Sequence, residues 1–199
     1  MPKSRNITRT KKLMSTVARE KALGQKGFVI WLTGLSGSGK STIAWKLDSE
    51  LFRIGRHAYV LDGDNLRHGL NSDLGFSDAD RNENIRRAGE VAALFADASI
   101  IAVAAFISPF RKDRMNARKA AGKGRFVEVH LCPSLETCIS RDPKGLYRKA
   151  MKGQIRDFTG ISSPYEEPHR PEIRLDTSRV KPDECVKTII AHLRRKKLI

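Results

Sequence analysis

The sequence predicts an α/β fold in which a parallel sheet is covered by helices on both faces. Two observations carry this. From Gly27 onward, short and nearly continuous apolar runs alternate with stretches of helical spacing, the pattern of strands buried on both sides and joined by helical crossovers. A glycine-rich segment, Gly34 to Ser41, sits directly between the first such run and the first helical stretch.

The elements follow in order. Residues 1–26 are a basic extension with no clear periodicity, and residues 27–199 form one domain. Phe28 to Thr33 reads as a buried strand. Thr42 to Phe52 is a helix with Ile43, Leu47 and Leu51 on one face, and His57 to Leu61 is a second strand. Arg81 to Asp97 is a helix striped by Ile85, Ala88, Val91, Ala92 and Phe95, with Ser77 or Asp78 as its cap. Ser99 to Ile107 is an apolar strand, Arg111 to Ala121 a polar helix, Arg125 to Leu131 a strand and Ser134 to Arg141 a short helix. Glu172 to Asp176 forms a last strand before a helix from Pro182 to about Arg195. The segment of about residues 141–160 has no place in the sheet; it carries Arg141, Lys144, Arg148, Lys149, Lys152 and Arg156 and reads as a mobile basic lid or as a solvated charged helix.

Composition narrows the partners. No apolar run approaches the roughly 20 residues of a membrane span, and the N-terminus has no apolar signal region. Cys132, Cys138 and Cys185 lack metal-site spacing and leave one thiol over, as expected of a protein in a reducing cytoplasm. Cys132 ends a predicted strand and reads as a small core residue. The net charge of +16 suits polyanions, whether nucleic acid or small phosphorylated molecules. Aromatic residues make up only 7% and do not interleave with the basic ones, so a nucleic-acid partner is not expected.

Gly34-Leu35-Ser36-Gly37-Ser38-Gly39-Lys40-Ser41 matches G-x-x-x-x-G-K-[ST] at every fixed position, between a strand and a helix as the phosphate-binding loop requires. The glycines let successive N–H groups converge on an anion, and the helix start adds partial positive charge. Lys40 is expected on the β- and γ-phosphates of a nucleoside triphosphate and Ser41 on Mg²⁺. After the second strand comes Asp62-Gly63-Asp64-Asn65. Two carboxylates at a strand end beside this loop suit two tasks, one helping to hold Mg²⁺ and the other accepting a proton from a substrate hydroxyl. Arg67, Arg81 and Asn84 offer bidentate anion binding and base or ribose contacts, and Phe76 is a stacking face or a core residue. Ser108, where the third strand ends, sits on the expected ligand edge or turns the chain before Pro109.

The series GLSGSGKST, LDGDNLRHGLN, DLGFS, DRNENIRR, AFISPF, RDPKGLY, FTGIS and PYEEP resembles the adenylyl-sulfate kinase (APS kinase) family, from about Gly27 to Pro171 and in family order. The resemblance implies a nucleotide-kinase-like fold of the P-loop nucleoside-triphosphate hydrolase type. It implies transfer of phosphate from ATP to the ribose 3′-hydroxyl of adenosine 5′-phosphosulfate (APS), giving 3′-phosphoadenosine 5′-phosphosulfate. It places ATP on Gly34, Leu35, Ser36, Gly37, Ser38, Gly39, Lys40, Ser41 and Thr42, with Ser41 and Asp62 at the Mg²⁺. Asp64 is then the base or orienter of the 3′-hydroxyl. Asn65, Arg67, Phe76, Arg81, Asn84, Ile107, Ser108, Lys144 and Phe158 resemble APS-contacting positions. Ser108 also falls at the family's phosphoserine position, although direct in-line transfer at such a loop needs no serine intermediate. A stand-alone, cytoplasmic homodimer is the expected form. The segments Asn6 to Lys26 and Glu172 to Asp183 depart from the family, and the ATP adenine contacts are left unassigned. A kinase of another small metabolite and a basic nucleic-acid-binding ATPase are the competing readings. The chain lacks the N-K-x-D guanine signature.

Overall fold

The computed structural model describes residues 7, 8, 10 and 12–199, so Lys3, Arg5, Arg9 and Lys11 of the basic extension lie outside the described residues. Five strands form one parallel sheet: β1 (Phe28–Thr33), β2 (Ala58–Asp62), β3 (Ile101–Ala105), β4 (Phe126–Leu131) and β5 (Ile173–Leu175), in the order β2-β3-β1-β4-β5. Because every strand runs the same way, all their C-terminal ends share one edge, with β1 in the middle.

Side-chain alternation along β1 builds two cores. Phe28, Ile30 and Leu32 face the helices α2 (Lys40–Arg53) and α8 (Pro182–Arg195), meeting Ile43, Leu47, Leu51, Ile189 and Leu193. Val29 and Trp31 face α4 (Asp78–Asp97) and α5 (Arg111–Ala121), meeting Ile85, Ala88, Ala92 and Ala117. Trp31 stacks between Phe106 and Phe126, with centroids 5.3 Å and 5.8 Å away. Among the described residues no helix is long and apolar enough to cross a membrane.

Three further helices have no counterpart in the periodicity. Helix α1 (Thr16–Leu23) lies in the basic extension and buries no residue. It exists through its ends: the Ser15 hydroxyl accepts from the Ala18 N–H, and Gly24 closes it in the left-handed conformation. The extension is also fastened to the sheet. Gln25 donates to the carbonyls of His57 and Ser99 and accepts from the His57 N–H, and Glu20 pairs with Arg125. Helix α3 (Gly63–Arg67) follows β2 directly, capped by the Asp62 side chain. Beyond α6 (Leu135–Arg141), helix α7 (Leu146–Met151) occupies the predicted lid segment, where Tyr147, Ala150 and Phe158 join Cys138 in a third apolar cluster. Cys132 is only half-buried, because it lies one residue beyond β4, where the chain leaves the sheet.

Ile189 is fully buried between α8 and the sheet. Ile189→Ala is expected to cost about 2–5 kcal/mol. The check is a urea titration, in which the midpoint falls and the slope is unchanged.

Candidate active site

The phosphate loop leaves the C-terminal end of β1, and its conformation is imposed from outside. Its carbonyl groups are taken up by donors around the rim: the Tyr147 hydroxyl on Ser36 O (3.0 Å), the Thr177 hydroxyl on Ser38 O (3.0 Å) and Arg141 on Gly37 O (3.3 Å). Lys40 Nζ donates to Gly34 O (3.0 Å) and Leu35 O (2.7 Å). Each peptide that turns its oxygen to the rim turns its N–H the other way. Gly37 has φ +73°, and a Cβ there would lie 2.9 Å from the Cys138 carbonyl oxygen, so the position requires glycine. Gly39 caps α2 without a side-chain acceptor, which leaves the first-turn N–H groups for an anion. Burial lowers the Lys40 pKa to about 8; Cys138 and Asp62 act to raise it, and Lys144 lowers it further. The loop therefore holds a dehydrated cation whose natural partner is a phosphate oxygen.

Asp62, buried at the end of β2, works on both sides. One carboxylate oxygen accepts the Ser41 hydroxyl at 2.6 Å, and the other accepts the Asp64 N–H at 3.0 Å and so caps α3. A hydroxyl and a carboxylate side by side are hard oxygen donors, and with phosphate oxygens and water they fit Mg²⁺. Asp64 stands in the first turn of α3 and pairs with Lys144, which enters from the segment between α6 and α7. Both partners are more than half exposed, so the pair adds little stability by itself.

Arg67 donates to the carbonyls of Leu74 and Gly75 (3.0 and 2.9 Å), with its guanidinium 4.3 Å from the centroid of Phe76, which is 63% exposed. The structure thus places Phe76 on the surface rather than in the core. Asn65 lies beside Asp64 in α3. Arg81 reaches from α4 to the lid segment, binding Asp157 O and the Thr159 hydroxyl, as well as Phe76 O. Phe158, between those lid partners, packs edge-on against Tyr147 at 5.0 Å. Asn84 is buried and accepts from Asn71 at 2.8 Å, so Ser77 caps a helix whose first turns carry Arg81 and Asn84 to different neighbours.

Ser108 is 1% exposed. Its hydroxyl accepts from Trp31 Nε1 (3.1 Å) and donates to Thr33 Oγ1 (3.0 Å), while Thr33 donates to Ile107 O (2.7 Å). With its own hydrogen spent there, Thr33 accepts from the Tyr165 hydroxyl at 3.0 Å. Burial raises the Tyr165 pKa to about 12. Leu35 and Tyr165 line a cavity of about 480 Å³ with Gly160, Ile161, Ser163 and Glu167.

Sequence reasoning missed Tyr147, Tyr165 and Thr177. Each acts through a single hydroxyl from a segment remote in sequence; Tyr147 and Tyr165 lie within the motifs RDPKGLY and PYEEP, whereas Thr177 lies in none of them. Cys138, given no chemistry from sequence, backs the loop at Gly37, and burial raises its thiol pKa.

His130, opposite Thr33 in the β1–β4 register, is 2% exposed and stacks on Tyr165 at 5.9 Å. Among the described residues its Nδ1 has no hydrogen-bond partner, and burial pulls its pKa down to about 4, with Glu167 acting to raise it and Arg174 and Arg114 to lower it. The unfolded chain then binds a proton near pH 6.5 that the folded chain refuses until about pH 4, so stability falls as pH drops through that window. His130→Phe is expected to remove this share of the acid loss, on the order of 3 kcal/mol. Urea midpoints measured from pH 7 to 4 check it; parallel curves for the two proteins would contradict it.

The adenylylsulphate kinase family model matches residues 26–176. An adenylyl-sulfate kinase from Marinobacter nauticus is 62% identical over 175 residues, covering 88% of each chain. The structure of the Mycobacterium tuberculosis APS kinase in complex with AMPPNP and APS superposes with a TM-score of 0.82 at 49% identity, covering 85% of this chain and 99% of that one. A hexameric APS kinase from Thiobacillus denitrificans matches with a TM-score of 0.69 at 34% identity, over 89% of this chain and 30% of that longer one.

Proposed function

The chain belongs to the adenylylsulphate kinase family, and on that premise we propose how its own residues perform the reaction. The protein is a kinase that transfers a phosphoryl group from ATP to the 3′-hydroxyl of APS. The observation that carries the assignment of roles is the Asp62 carboxylate, which joins the phosphate loop at Ser41 to the helix that presents Asp64.

The N–H groups of Gly34 to Thr42 and the Lys40 ammonium bind the triphosphate, and Lys40 becomes fully charged as the phosphate compensates for its lost hydration. Ser41 and Asp62 would hold Mg²⁺, which when bound would neutralise charge on the triphosphate. Asp64 accepts the proton of the attacking 3′-hydroxyl. Lys144, which pairs with Asp64, is proposed to turn to the phosphosulfate and free the carboxylate. Arg81, held to the lid by Asp157 and Thr159, couples closure of that segment to the acceptor. Arg67 and Phe76 flank the nucleoside, with Asn65, Asn84, Ile107, Ser108 and Phe158 completing the acceptor side. The Ser108 hydroxyl is enclosed by Trp31 and Thr33, with no general base among the partners that the described residues give it, so the proposed transfer is direct.

The proposed setting is the cytoplasm, which keeps the free thiols Cys132, Cys138 and Cys185 reduced. The proposed assembly is a homodimer. Phe52, Tyr59 and Leu94 are exposed apolar side chains available for association, and sedimentation equilibrium reads the copy number.

ADP release in a coupled assay, with APS compared against other nucleotide and sugar acceptors, tests the reaction; no APS-dependent release would overturn it. Asp64→Asn is expected to lower kcat by about a hundredfold or more with KM for APS nearly unchanged. Ser108→Ala is expected to keep at least about 1% of turnover, and complete loss in a folded variant would restore the phosphoserine route.

A further inference from the structure

Ser108 has a left-handed backbone, φ +43°, which is costly for a residue with a Cβ and persists only where its surroundings hold it. The group that holds its carbonyl is Arg114, 3% exposed on the inner side of α5. Arg114 Nη1 donates to Ser108 O at 2.5 Å, Nη2 to Glu166 O at 2.6 Å and Nε to Glu128 Oε1 at 2.9 Å. Its guanidinium lies 5.8 Å from the centroid of the Tyr165 ring. The same two stretches of chain are laced again by Glu166 N to Pro109 O (2.9 Å) and by the Glu166 carboxylate on Arg111 N (2.8 Å).

An internal ion pair with Glu128 needs one edge of a guanidinium. Here two more N–H groups go to backbone carbonyls of two segments that meet at the ligand edge, one ending β3 and the other leaving the lid. We propose that Arg114 is a positioning residue for the phosphoryl acceptor: it locks the left-handed turn at Ile107–Ser108 to the Tyr165–Glu166 root of the lid and so sets the APS side of the site. The phosphate loop is held by other donors, Tyr147, Thr177 and Arg141, so ATP binding does not depend on this clamp. The link to APS rests on the functional reading above.

Arg114→Lys keeps the charge beside Glu128 but cannot span both carbonyls. Arg114→Met with Glu128→Gln removes both buried charges together. In each variant KM for APS is expected to rise at least tenfold, with the Kd for ATP in the absence of APS within twofold of wild type. A substrate-free readout follows Trp31, whose indole N–H is bonded to Ser108; in a Trp45→Phe background it is the sole tryptophan. Its indole N–H resonance is expected to move upfield and to exchange faster with solvent in both variants. An unchanged resonance and an unchanged KM for APS in Arg114→Lys would overturn the clamp, as would equal weakening of both substrates. If the double variant does not fold, Arg114→Lys decides alone. If the wild type shows no APS-dependent ADP release, the kinase reading fails, and the Trp31 resonance still judges the clamp.

Discussion

The site depends on one buried carboxylate. Asp62 accepts the Ser41 hydroxyl with one oxygen and caps α3 with the other. The first contact ties it to the loop that holds the donor phosphate, and the second sets the helix that carries Asp64. β2 and β1 are not neighbours; both pair with β3, where Leu32 and Asp62 stand opposite Ala105 from either side. The carboxylate adds a side-chain link across that gap, and a shift of it would disturb Ser41 and the Asp64 N–H together.

Around this joint the chain stores positive charge in a dehydrated setting. Lys40 is buried against loop carbonyls with its pKa near 8, and Arg81 is half-buried with burial lowering its pKa. Such charges are costly without an anion and become favourable with one. Lys144 and Arg81 meanwhile satisfy themselves with Asp64 and with the lid carbonyls. Both contacts tie the lid segment to the helices that follow β2, Lys144 to α3 and Arg81 from α4.

Much of the fold was legible because it rests on periodicity. The β1 run and the spacing of Ile43, Leu47 and Leu51 in α2 are core-facing patterns that any buried strand and helix must show, and α5 and α8 appear with the bounds expected for them. Helix α1 was not legible in this way, because it has no buried face and is made by Ser15 and Gly24 at its ends. Helix α3 is too short to show periodicity, and its cap, Asp62, is also the strand's last residue. The lid segment read as a run of charges, yet Tyr147 and Phe158 give it an apolar cluster with Cys138 that only contact reveals.

The sequence by itself determined the local chemistry: a glycine loop that can cradle phosphate, a lysine and a serine at its end, and two carboxylates at a neighbouring strand end. These are properties of residues close together along the chain, where steric freedom and spacing are enough. Only the tertiary structure decided which carboxylate meets Ser41, that Ser108 is enclosed by Trp31 and Thr33, and that Arg114 holds the turn beneath it. Those contacts join residues separated by 21 to 77 positions in some cases and as few as 6 in another. Their geometry is set by how the parallel strands bring their ends to one edge, and spacing along the chain does not encode it.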